Sequence, residues 1–437
     1  MSEPFDPTLL PLTGRVDERG AVSVGGVALT ALANEFGTPL YVYDEADIRA
    51  RCRDYLECFG PDVAYASKAF LCLAMVRLVE EEGLHLDLAT GGELAVARRG
   101  GFPADRIVFH GNNKSVDELR DALDAGVGRI VVDSSEELDR LERLAIADGV
   151  RPRVHIRVTP GVEAHTHEYI ETGIEDSKFG FGLDSGDALV AVRRVVDRNV
   201  LQFAGLHCHI GSQVFRLDSF ARAVDKMIGF VHTVEGETAA TVEELNLGGG
   251  LGVRYLSGDV TPSIAEYAAV VHEAFAKALA EAGVRSRPVL MTEPGRSIVA
   301  PAGITLYTVG TIKRIAGVRT YVAVDGGMSD NLRPITYGAT YETFVPDRAA
   351  APRPLVATIA GKHCEQGDIV VRDARLPADV AVGDVVATPV TGGYGQAMAN
   401  NYNKVPRPAV VFVRDGAARL VVRRESYEDL TRLDVDA

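Results

Sequence analysis

Several residue types that can do chemistry stand where a short apolar run of the sequence ends. A parallel β-strand buried on both faces reads as such a run, and a barrel of parallel strands gathers its working residues at the carboxyl ends of the strands. The residues found at these positions are Lys68, Asp87, His110, Asp133, His209, the glycines 248–250 and Glu293.

Lys68 is the candidate nucleophile of this set. It ends the strand-like part of YASKAF, and the apolar residues 69–71 follow it. Loss of hydration at an apolar barrel mouth disfavours the ammonium form of a lysine, which makes its amine a usable nucleophile. The alternative is a lysine whose stem lies on apolar surface while its ammonium reaches water at the rim.

Gly248, Gly249 and Gly250 end the seventh predicted strand. Because glycines have no Cβ, their backbone N–H groups can approach an anion closely. Phosphate sites in barrels favour the loops after strands seven and eight, so position and composition both predict a phosphate site. A simple glycine-rich turn is the alternative.

Glu293 ends the eighth predicted strand, in the segment EPGR. A carboxylate at this place could keep the pyridine nitrogen of pyridoxal phosphate protonated, which makes the ring an electron sink. An ion pair between Glu293 and Arg296 that only closes the barrel is the alternative. The amine, the phosphate site and this carboxylate together predict pyridoxal 5'-phosphate as the cofactor.

Two pairs of histidines raise a second hypothesis, a metal site. His207 and His209 lie two residues apart, which puts them on one face of a strand, and alternating histidines are common zinc ligands. His165 and His167 form a second pair in a predicted loop. The sequence offers neither pair an evident carboxylate or cysteine partner, so no metal is predicted, and a metal-dependent barrel hydrolase is kept as an alternative. In the favoured interpretation His209 stacks on a cofactor ring and Ser212 reaches its phosphate.

The elements that must position these residues fall into two regions. Between about residues 63 and 295, eight strand-like runs alternate with helical patterns, which is typical of the α/β class and of a (β/α)8 TIM barrel. An open doubly wound sheet is the alternative. β-rich runs separated by Gly, Pro and Asp follow, and predict an antiparallel β domain of barrel or sandwich type that the N-terminal segment joins. The predicted domains are a cofactor-binding barrel, 45–300, and a β-rich domain, 1–44 with 301–437.

Composition excludes several classes of protein. Of the 437 residues 46% are hydrophobic and 24% charged, so the chain can bury a large core. A net charge of -15 without a basic stretch argues against nucleic-acid and anionic-membrane partners. We expect no signal peptide and no membrane span, since the start lacks a basic and an apolar part and no apolar run is long enough. Five scattered cysteines predict neither disulfides nor a zinc ribbon, and favour a reducing, cytoplasmic location.

Ten motifs carry a family resemblance that runs from YVYD near residue 41 to RPAVVFV near residue 413. The chain resembles the fold-type III pyridoxal-phosphate enzymes of the ornithine/diaminopimelate/arginine decarboxylase group, and among them the diaminopimelate decarboxylases. The motifs are YASKAF, LDLATGGEL, HGNNKS, HEYIETGIEDSKFGF, GLHCHIGSQ, LNLGGGLG, EPGRSIV, DGGMSDNLRP, GKHCEQGDI and GGYGQAMANNYN.

The resemblance implies decarboxylation of meso-2,6-diaminopimelate to L-lysine, the last step of lysine biosynthesis, by a homodimer with active sites at the subunit interface. Lys68, His209 and Cys364 would be catalytic: the lysine holds the cofactor as a Schiff base, the histidine stacks on its ring, and the cysteine, from the partner subunit, donates a proton. The other implied cofactor-binding residues are Asp87, Ser212, Gly249, Gly250, Glu293, Gly295, Arg296 and Tyr394. The implied substrate-binding residues are Arg296, Arg333, Tyr337, Glu365 and Tyr394.

The two arginines favour diaminopimelate as the substrate. They can form charge-assisted forks to its second carboxylate, and Glu365 can bind its second ammonium. A decarboxylase of carboxynorspermidine, ornithine, lysine or arginine is the alternative, as is a non-catalytic cofactor-binding relative. The chain departs from many members of the group at Phe70, where Asn is common, and at Gln396, which flanks Tyr394. The segment HEYIETGIEDSKFGF is a predicted active-site lid.

Overall fold

The computed structural model describes residues 3–162 and 177–435. The chain divides into two compact units. We call Cys52–Gly252 with Thr261–Gly295 the barrel unit, and Met1–Arg51 with Val253–Val260 and Arg296–Ala437 the β unit. His165, His167 and most of the predicted lid lie outside the described residues.

The sheet of the barrel unit has nine described strands: eight parallel strands that pair in chain order, and the short strand Phe181–Gly182, which pairs parallel with the fifth of them. We number the eight barrel strands 1 to 8. They are Ala64–Ala66, His85–Leu88, Ile107–Phe109, Arg129–Val132, Arg153–Thr159, Gln202–His207, Glu244–Asn246 and Val289–Met291. The sheet closes because the Ala64 and Ala66 N–H groups donate to the carbonyls of Thr292 and Pro294, beyond strand 8. This closure confirms the TIM barrel and excludes the open doubly wound sheet.

Helices alternate with the barrel strands, and their ends follow ordinary capping chemistry. Ser115 and Ser263 each form a capping box with a glutamate three residues on, and Gly126 and Gly149 end their helices in the left-handed conformation. The helices of the barrel unit are Leu73–Glu81, Gly91–Gly100, Val116–Ala125, Ser135–Asp148, Asp187–Arg198, Leu217–Glu237 and Ile264–Ala282, and Glu45–Phe59 contributes residues to both units.

The β unit is built on one eight-stranded sheet. Most strands pair antiparallel, as predicted, but Leu40–Asp44 runs parallel to Ala409–Arg414, and Arg319–Val324 runs parallel to Leu355–Ala360. The YVYD run therefore joins this sheet, as expected. The other strands are Gly303–Ile315, Ile369–Leu376, Val385–Pro389 and Ala417–Val422, beside a small sheet of Arg15–Val16, Val22–Val24 and Val27–Ala28. The α-helices of this unit are Leu29–Phe36, Arg296–Val299 and Arg333–Tyr337.

Each unit buries its own apolar side chains. In the barrel unit Ala64, Val108, Val131 and Met291 meet inside the ring of strands. In the β unit a larger core fills the space behind the sheet. No helix among the described residues has the length and apolarity that a membrane span requires.

A buried ion pair supports the loops after barrel strands 3 and 4. The Lys114 Nζ lies 2.8 Å from the Glu137 Oε1, and both side chains are 1% exposed. The same ammonium donates to the carbonyls of Gly111 and Val131 at 2.7 and 2.8 Å, and Glu137 accepts the Asp133 N–H at 3.0 Å. Burial lowers the pKa of Lys114 and raises that of Glu137. Each charge is therefore tolerated because the other is present.

Replacing one member of this pair should destabilise the barrel unit more than replacing both. We expect Lys114→Met to lower the free energy of unfolding by about 3–5 kcal/mol, because Glu137 is left buried without a cation. The double variant Lys114→Met/Glu137→Leu should recover most of that loss. Urea denaturation followed by circular dichroism measures both, and a single variant as stable as the wild type would contradict the assignment.

Candidate active site

Lys68 and Asp87 face each other at the carboxyl end of the barrel. Lys68 lies in a short 3-10 turn, Ser67–Ala69, directly after strand 1, and its Nζ is 3.6 Å from the Asp87 Oδ2. The lysine side chain is 46% exposed, which agrees with the alternative of a lysine at the rim. Asp87 is buried, and its Oδ2 has no hydrogen-bond partner among the described residues. The lysine is thus positioned by a carboxylate.

Glu293, which follows strand 8, is surrounded by N–H donors. Its Oε1 accepts from the His110 Nε2 and the Asn246 Nδ2, each at 2.7 Å, and its Oε2 accepts from the His207 Nε2 at 3.1 Å. Burial alone would raise the pKa of Glu293, but the two histidines outweigh it and hold the pKa well below its usual range. Glu293 is therefore a carboxylate at neutral pH, suited to hold a protonated ring nitrogen.

The structure corrects the sequence analysis of the histidines. Among the described residues, the group that could hold a metal is His110, His207 and Glu293, whose ligand atoms lie within 4.8 Å of one another, and it does not include His209. His207 thus has the carboxylate partner that the sequence did not reveal. The Nε2 atoms of both histidines already donate to Glu293, so the group is a hydrogen-bond network. Burial lowers the pKa of His207 to about 3, which keeps that ring neutral.

The glycines after strand 7 form a cradle that no side chain could share. A Cβ on Gly249 would lie 2.1 Å from the Glu293 carbonyl oxygen, and one on Gly250 would lie 2.3 Å from that of Gly211. Gly250 also has a φ of +122°, which favours glycine. Ser212 follows Gly211 directly and so lies in the loop that packs against the cradle. These positions therefore have to be glycine, and a backbone without Cβ atoms is what the predicted phosphate site requires.

His209 is held as a neutral ring beside the cradle. Its Nδ1 accepts the Gly249 N–H at 3.3 Å, which leaves the ring proton on Nε2. Burial, followed by the charges of Lys68 and Arg157, keeps the pKa of His209 well below its ordinary value. A neutral imidazole of fixed orientation is compatible with the predicted stacking role.

Cys364 and Glu365 lie in the β unit, in the loop between strands Leu355–Ala360 and Ile369–Leu376. Cys364 is exposed, and its N–H donates to the Asn403 Oδ1 at 2.9 Å. The loop therefore presents a thiol and a carboxylate in succession at the surface of this chain.

Asp368, which the sequence analysis missed, organises the Cys364 loop. Its carboxylate accepts the His363 N–H at 2.9 Å, the His363 Nδ1 at 2.8 Å and the Met328 N–H at 2.7 Å. A Cβ on Gly361 or Gly327 would lie 2.1 or 2.5 Å from this carboxylate, so both positions require glycine. One buried side chain thus joins the loop of the cysteine to the segment DGGMSDNLRP, which contains Arg333.

Arg296 and Arg333, to which the resemblance assigns substrate binding, lie together in the β unit. Two tyrosines for which no role was predicted, Tyr255 and Tyr341, contact them. The Arg296 Nη1 donates to the Tyr255 hydroxyl at 2.8 Å, and the Arg333 Nη1 donates to the Tyr341 hydroxyl. Arg296 lies 4.6 Å from the ring centre of Tyr394, and Arg333 lies 4.6 Å from that of Tyr255. Both arginines are buried, so this cluster concentrates positive charge.

The remaining predicted residues take up simple positions. Gly295 packs so closely on strand 1 that a Cβ would lie 2.9 Å from the Ala66 Cβ. Tyr337 ends the helix that begins at Arg333, and Tyr394 has a φ of +61°, a conformation that side chains rarely adopt. Phe70 is fully buried, so its departure from the family pattern is a matter of packing.

The predicted site residues therefore form one group in each unit. The barrel unit brings together Lys68, Asp87, His209, Ser212, Gly249, Gly250, Glu293 and Gly295. The β unit holds Arg296, Arg333, Tyr337 and Tyr394, and the Cys364–Glu365 loop. A parallel barrel with a lysine, a glycine cradle and a hydrogen-bonded carboxylate at the ends of its strands defines the class of barrel pyridoxal-phosphate enzymes.

Comparison with known proteins identifies the family within this class. Residues 45–300 match the pyridoxal binding domain of the pyridoxal-dependent decarboxylases. Diaminopimelate decarboxylases of Mycobacterium tuberculosis and Bacillus subtilis are 49% and 48% identical to the chain, over 98% and 97% of both chains. A crystal structure of the M. jannaschii diaminopimelate decarboxylase with L-lysine is 35% identical, with a TM-score of 0.90 and 98% of both chains covered. The chain belongs to the diaminopimelate decarboxylase family.

Asp368→Asn tests the organisation of the Cys364 loop. The amide keeps the volume of the carboxylate but replaces one of its two acceptor oxygens with an NH2 group, so at least one of the three N–H donors loses its acceptor. Hydrogen bonds to a charged group are worth about 1.5–3 kcal/mol each. We expect carbon dioxide release to fall at least about tenfold while the absorbance of the bound cofactor is unchanged. Asp373→Asn, the same change at an exposed position of the next strand, is the control. Equal rates in the two variants would show that Asp368 does not position the loop.

Proposed function

We propose that the chain decarboxylates meso-2,6-diaminopimelate at its D-configured centre, releasing L-lysine and carbon dioxide. The observation that carries the choice of substrate is the pair of buried arginines, Arg296 and Arg333, in a chain of this family. Arg333 is buried, and its partners among the described residues are the Tyr341 hydroxyl and the rings of Tyr255 and Tyr341, none of which carries a negative charge. A substrate with a second carboxylate supplies this negative charge. A substrate whose decarboxylation gives a simple diamine has no second carboxylate and does not supply it.

Pyridoxal phosphate fits the residues of the barrel unit. The glycine cradle has room for no Cβ, the Asp87 Oδ2 lacks a hydrogen-bond partner among the described residues, and Glu293 is an ionised carboxylate in a ring of donors. When bound, the cofactor supplies a sink for the electron pair that remains when carbon dioxide leaves. In our assignment Lys68 holds its aldehyde carbon, Glu293 its ring nitrogen and His209 its ring face. Its phosphate and remaining polar groups are assigned to Asp87, Ser212, Gly249, Gly250, Gly295, Arg296 and Tyr394.

The residues of the β unit are assigned to the substrate and the proton. Cys364 donates the proton that replaces the lost carboxylate at the reacting carbon, a task for which a thiol is chemically suited. Glu365 binds the second ammonium of the substrate. Its second carboxylate is bound by Arg296, Arg333, Tyr337 and Tyr394.

We further propose that the active form is a cytoplasmic homodimer in which Cys364 serves the partner's active site. The exposure of Cys364 supports this assembly, because a proton donor that faces solvent is not shielded for its reaction. The domain bounds that go with the proposal are 45–300 for the cofactor-binding domain and 1–44 with 301–437 for its β-rich companion.

Lys68→Ala should abolish both the colour and the chemistry. The wild type, loaded with pyridoxal phosphate, should be yellow and release carbon dioxide from meso-diaminopimelate, with far lower rates for L-lysine, L-ornithine, L-arginine and carboxynorspermidine. The variant should be colourless, because the amine that holds the cofactor is gone. Lys277→Ala, at an exposed helix position, is the control. A colourless wild type would refute the cofactor, and preference for another substrate would refute the substrate.

Mixing two inactive variants tests the shared active site. Cys364→Ala should keep the colour but lose about 10²- to 10⁴-fold in rate, because its proton donor is missing. When Lys68→Ala and Cys364→Ala chains are unfolded and refolded together, half of the dimers are mixed. Each mixed dimer should regain one intact site, which gives about a quarter of the wild-type activity. Recovery near zero would show that both residues serve the same subunit's site.

A further inference from the structure

We propose that Tyr255 is a specificity-determining residue that positions Arg296 and Arg333 for the second carboxylate of the substrate. The inference rests on the proposed function and deepens it. Neither Tyr255 nor its neighbour Tyr341 belongs to a motif from which a substrate role was expected. Their role follows from the contacts that they make with Arg296 and Arg333.

Tyr255 is the residue that both arginines contact. Its hydroxyl accepts from the Arg296 Nη1 at 2.8 Å, while the Arg333 guanidinium lies 4.6 Å from the centre of its ring. Tyr341 completes the arrangement, because its ring meets that of Tyr255 edge to face, 5.2 Å away at 86°, and its hydroxyl accepts from Arg333. Arginine and aromatic groups thus alternate, from Tyr394 through Arg296, Tyr255 and Arg333 to Tyr341.

The arrangement holds two like charges close together, and the described partners of Arg333 are a phenol oxygen and aromatic rings. Arg296, Arg333 and Tyr255 are 7%, 5% and 6% exposed, so water screens the guanidinium groups little. An aromatic face and a phenol oxygen attract a guanidinium but carry no net charge. Burial would raise the pKa of Tyr255, yet the attraction of the two arginines outweighs it and the pKa is lowered. The local field therefore favours an anion, and a carboxylate from the ligand satisfies it.

The position of the Tyr255 hydroxyl decides how the arginines meet that carboxylate. The hydroxyl accepts from the Arg296 Nη1 and so fixes the plane of that guanidinium. The ring of Tyr255 contacts Arg333 and so sets the separation of the two cations. Without the hydroxyl, Arg296 loses this constraint while the ring contact with Arg333 remains. The loss should fall on ligands that carry the second carboxylate and spare those that lack it.

L-Lysine and cadaverine are the probes that separate these cases. L-Lysine retains the carboxylate of the unreacted centre, and cadaverine is the same diamine chain without it. In Tyr255→Phe holoenzyme, L-lysine should bind about 10- to 100-fold more weakly, since a hydrogen bond between charged and polar partners is lost. Cadaverine binding should change less than about twofold, because it presents no carboxylate to the arginines. In this variant the KM for meso-diaminopimelate should rise in parallel with the dissociation constant of L-lysine, and kcat should change little.

Tyr321→Phe is the matched control, since Tyr321 is another tyrosine of the β unit with an arginine, Arg319, near its ring at 5.8 Å. It should leave both affinities and the kinetic constants unchanged. Calorimetry with each probe and steady-state kinetics give the measurements.

Three results would overturn the inference. Equal weakening of L-lysine and cadaverine would show that Tyr255 supports the structure generally. Unchanged L-lysine binding would show that its hydroxyl does not position the arginines, and a fall in kcat at constant KM would place it in the chemical step. Failure of the proposed function is seen separately, in the wild type, as absence of turnover with meso-diaminopimelate.

Discussion

A negative charge buried at the end of the barrel is the constraint on which the rest of the site depends. Glu293 is 5% exposed, and an isolated carboxylate in such a place would take up a proton. It remains ionised because three N–H donors replace its water, from His110, Asn246 and His207. These donors come from barrel strands 3, 7 and 6 or the residues just beyond them. Only a closed ring of strands directs groups so distant in sequence at one carboxylate.

The β unit also buries charge, but there the charge is positive and the groups around it are different. Arg333 is as deeply buried as Glu293, but its described contacts are a phenol oxygen and aromatic faces. A buried charge that its own protein compensates fully is part of the scaffold, as the pair of Lys114 and Glu137 shows. A buried charge that is compensated by neutral groups is prepared for a ligand of opposite sign. The difference separates structural charges from binding charges in this chain.

The sequence predicts the residues whose position at the end of an apolar run signals a role. It does not predict the residues whose role depends on contacts with residues distant in the chain. Lys68, Gly249 and Glu293 stand at the ends of apolar runs, so the barrel pattern alone predicts that they gather at one rim. His207 was judged to lack a carboxylate because its partner, Glu293, lies 86 residues away. The exposure of Lys68 could not be predicted either, since it depends on the short 3-10 turn that follows strand 1. Tyr255 and Asp368 carry no local signal that distinguishes them from other polar residues in loops.

Asp368 shows how such an unmarked residue can matter to two sites at once. Its carboxylate holds the His363 and Met328 N–H groups, and thereby ties the loop of Cys364 to the segment that leads to Arg333. In the proposed dimer the cysteine serves the partner's site, and Arg333 binds the second carboxylate of the substrate. A displacement in one loop would then reach the other through a single buried side chain. Glycine at positions 327 and 361 leaves room for this carboxylate, because a Cβ there would lie 2.5 or 2.1 Å from one of its oxygens.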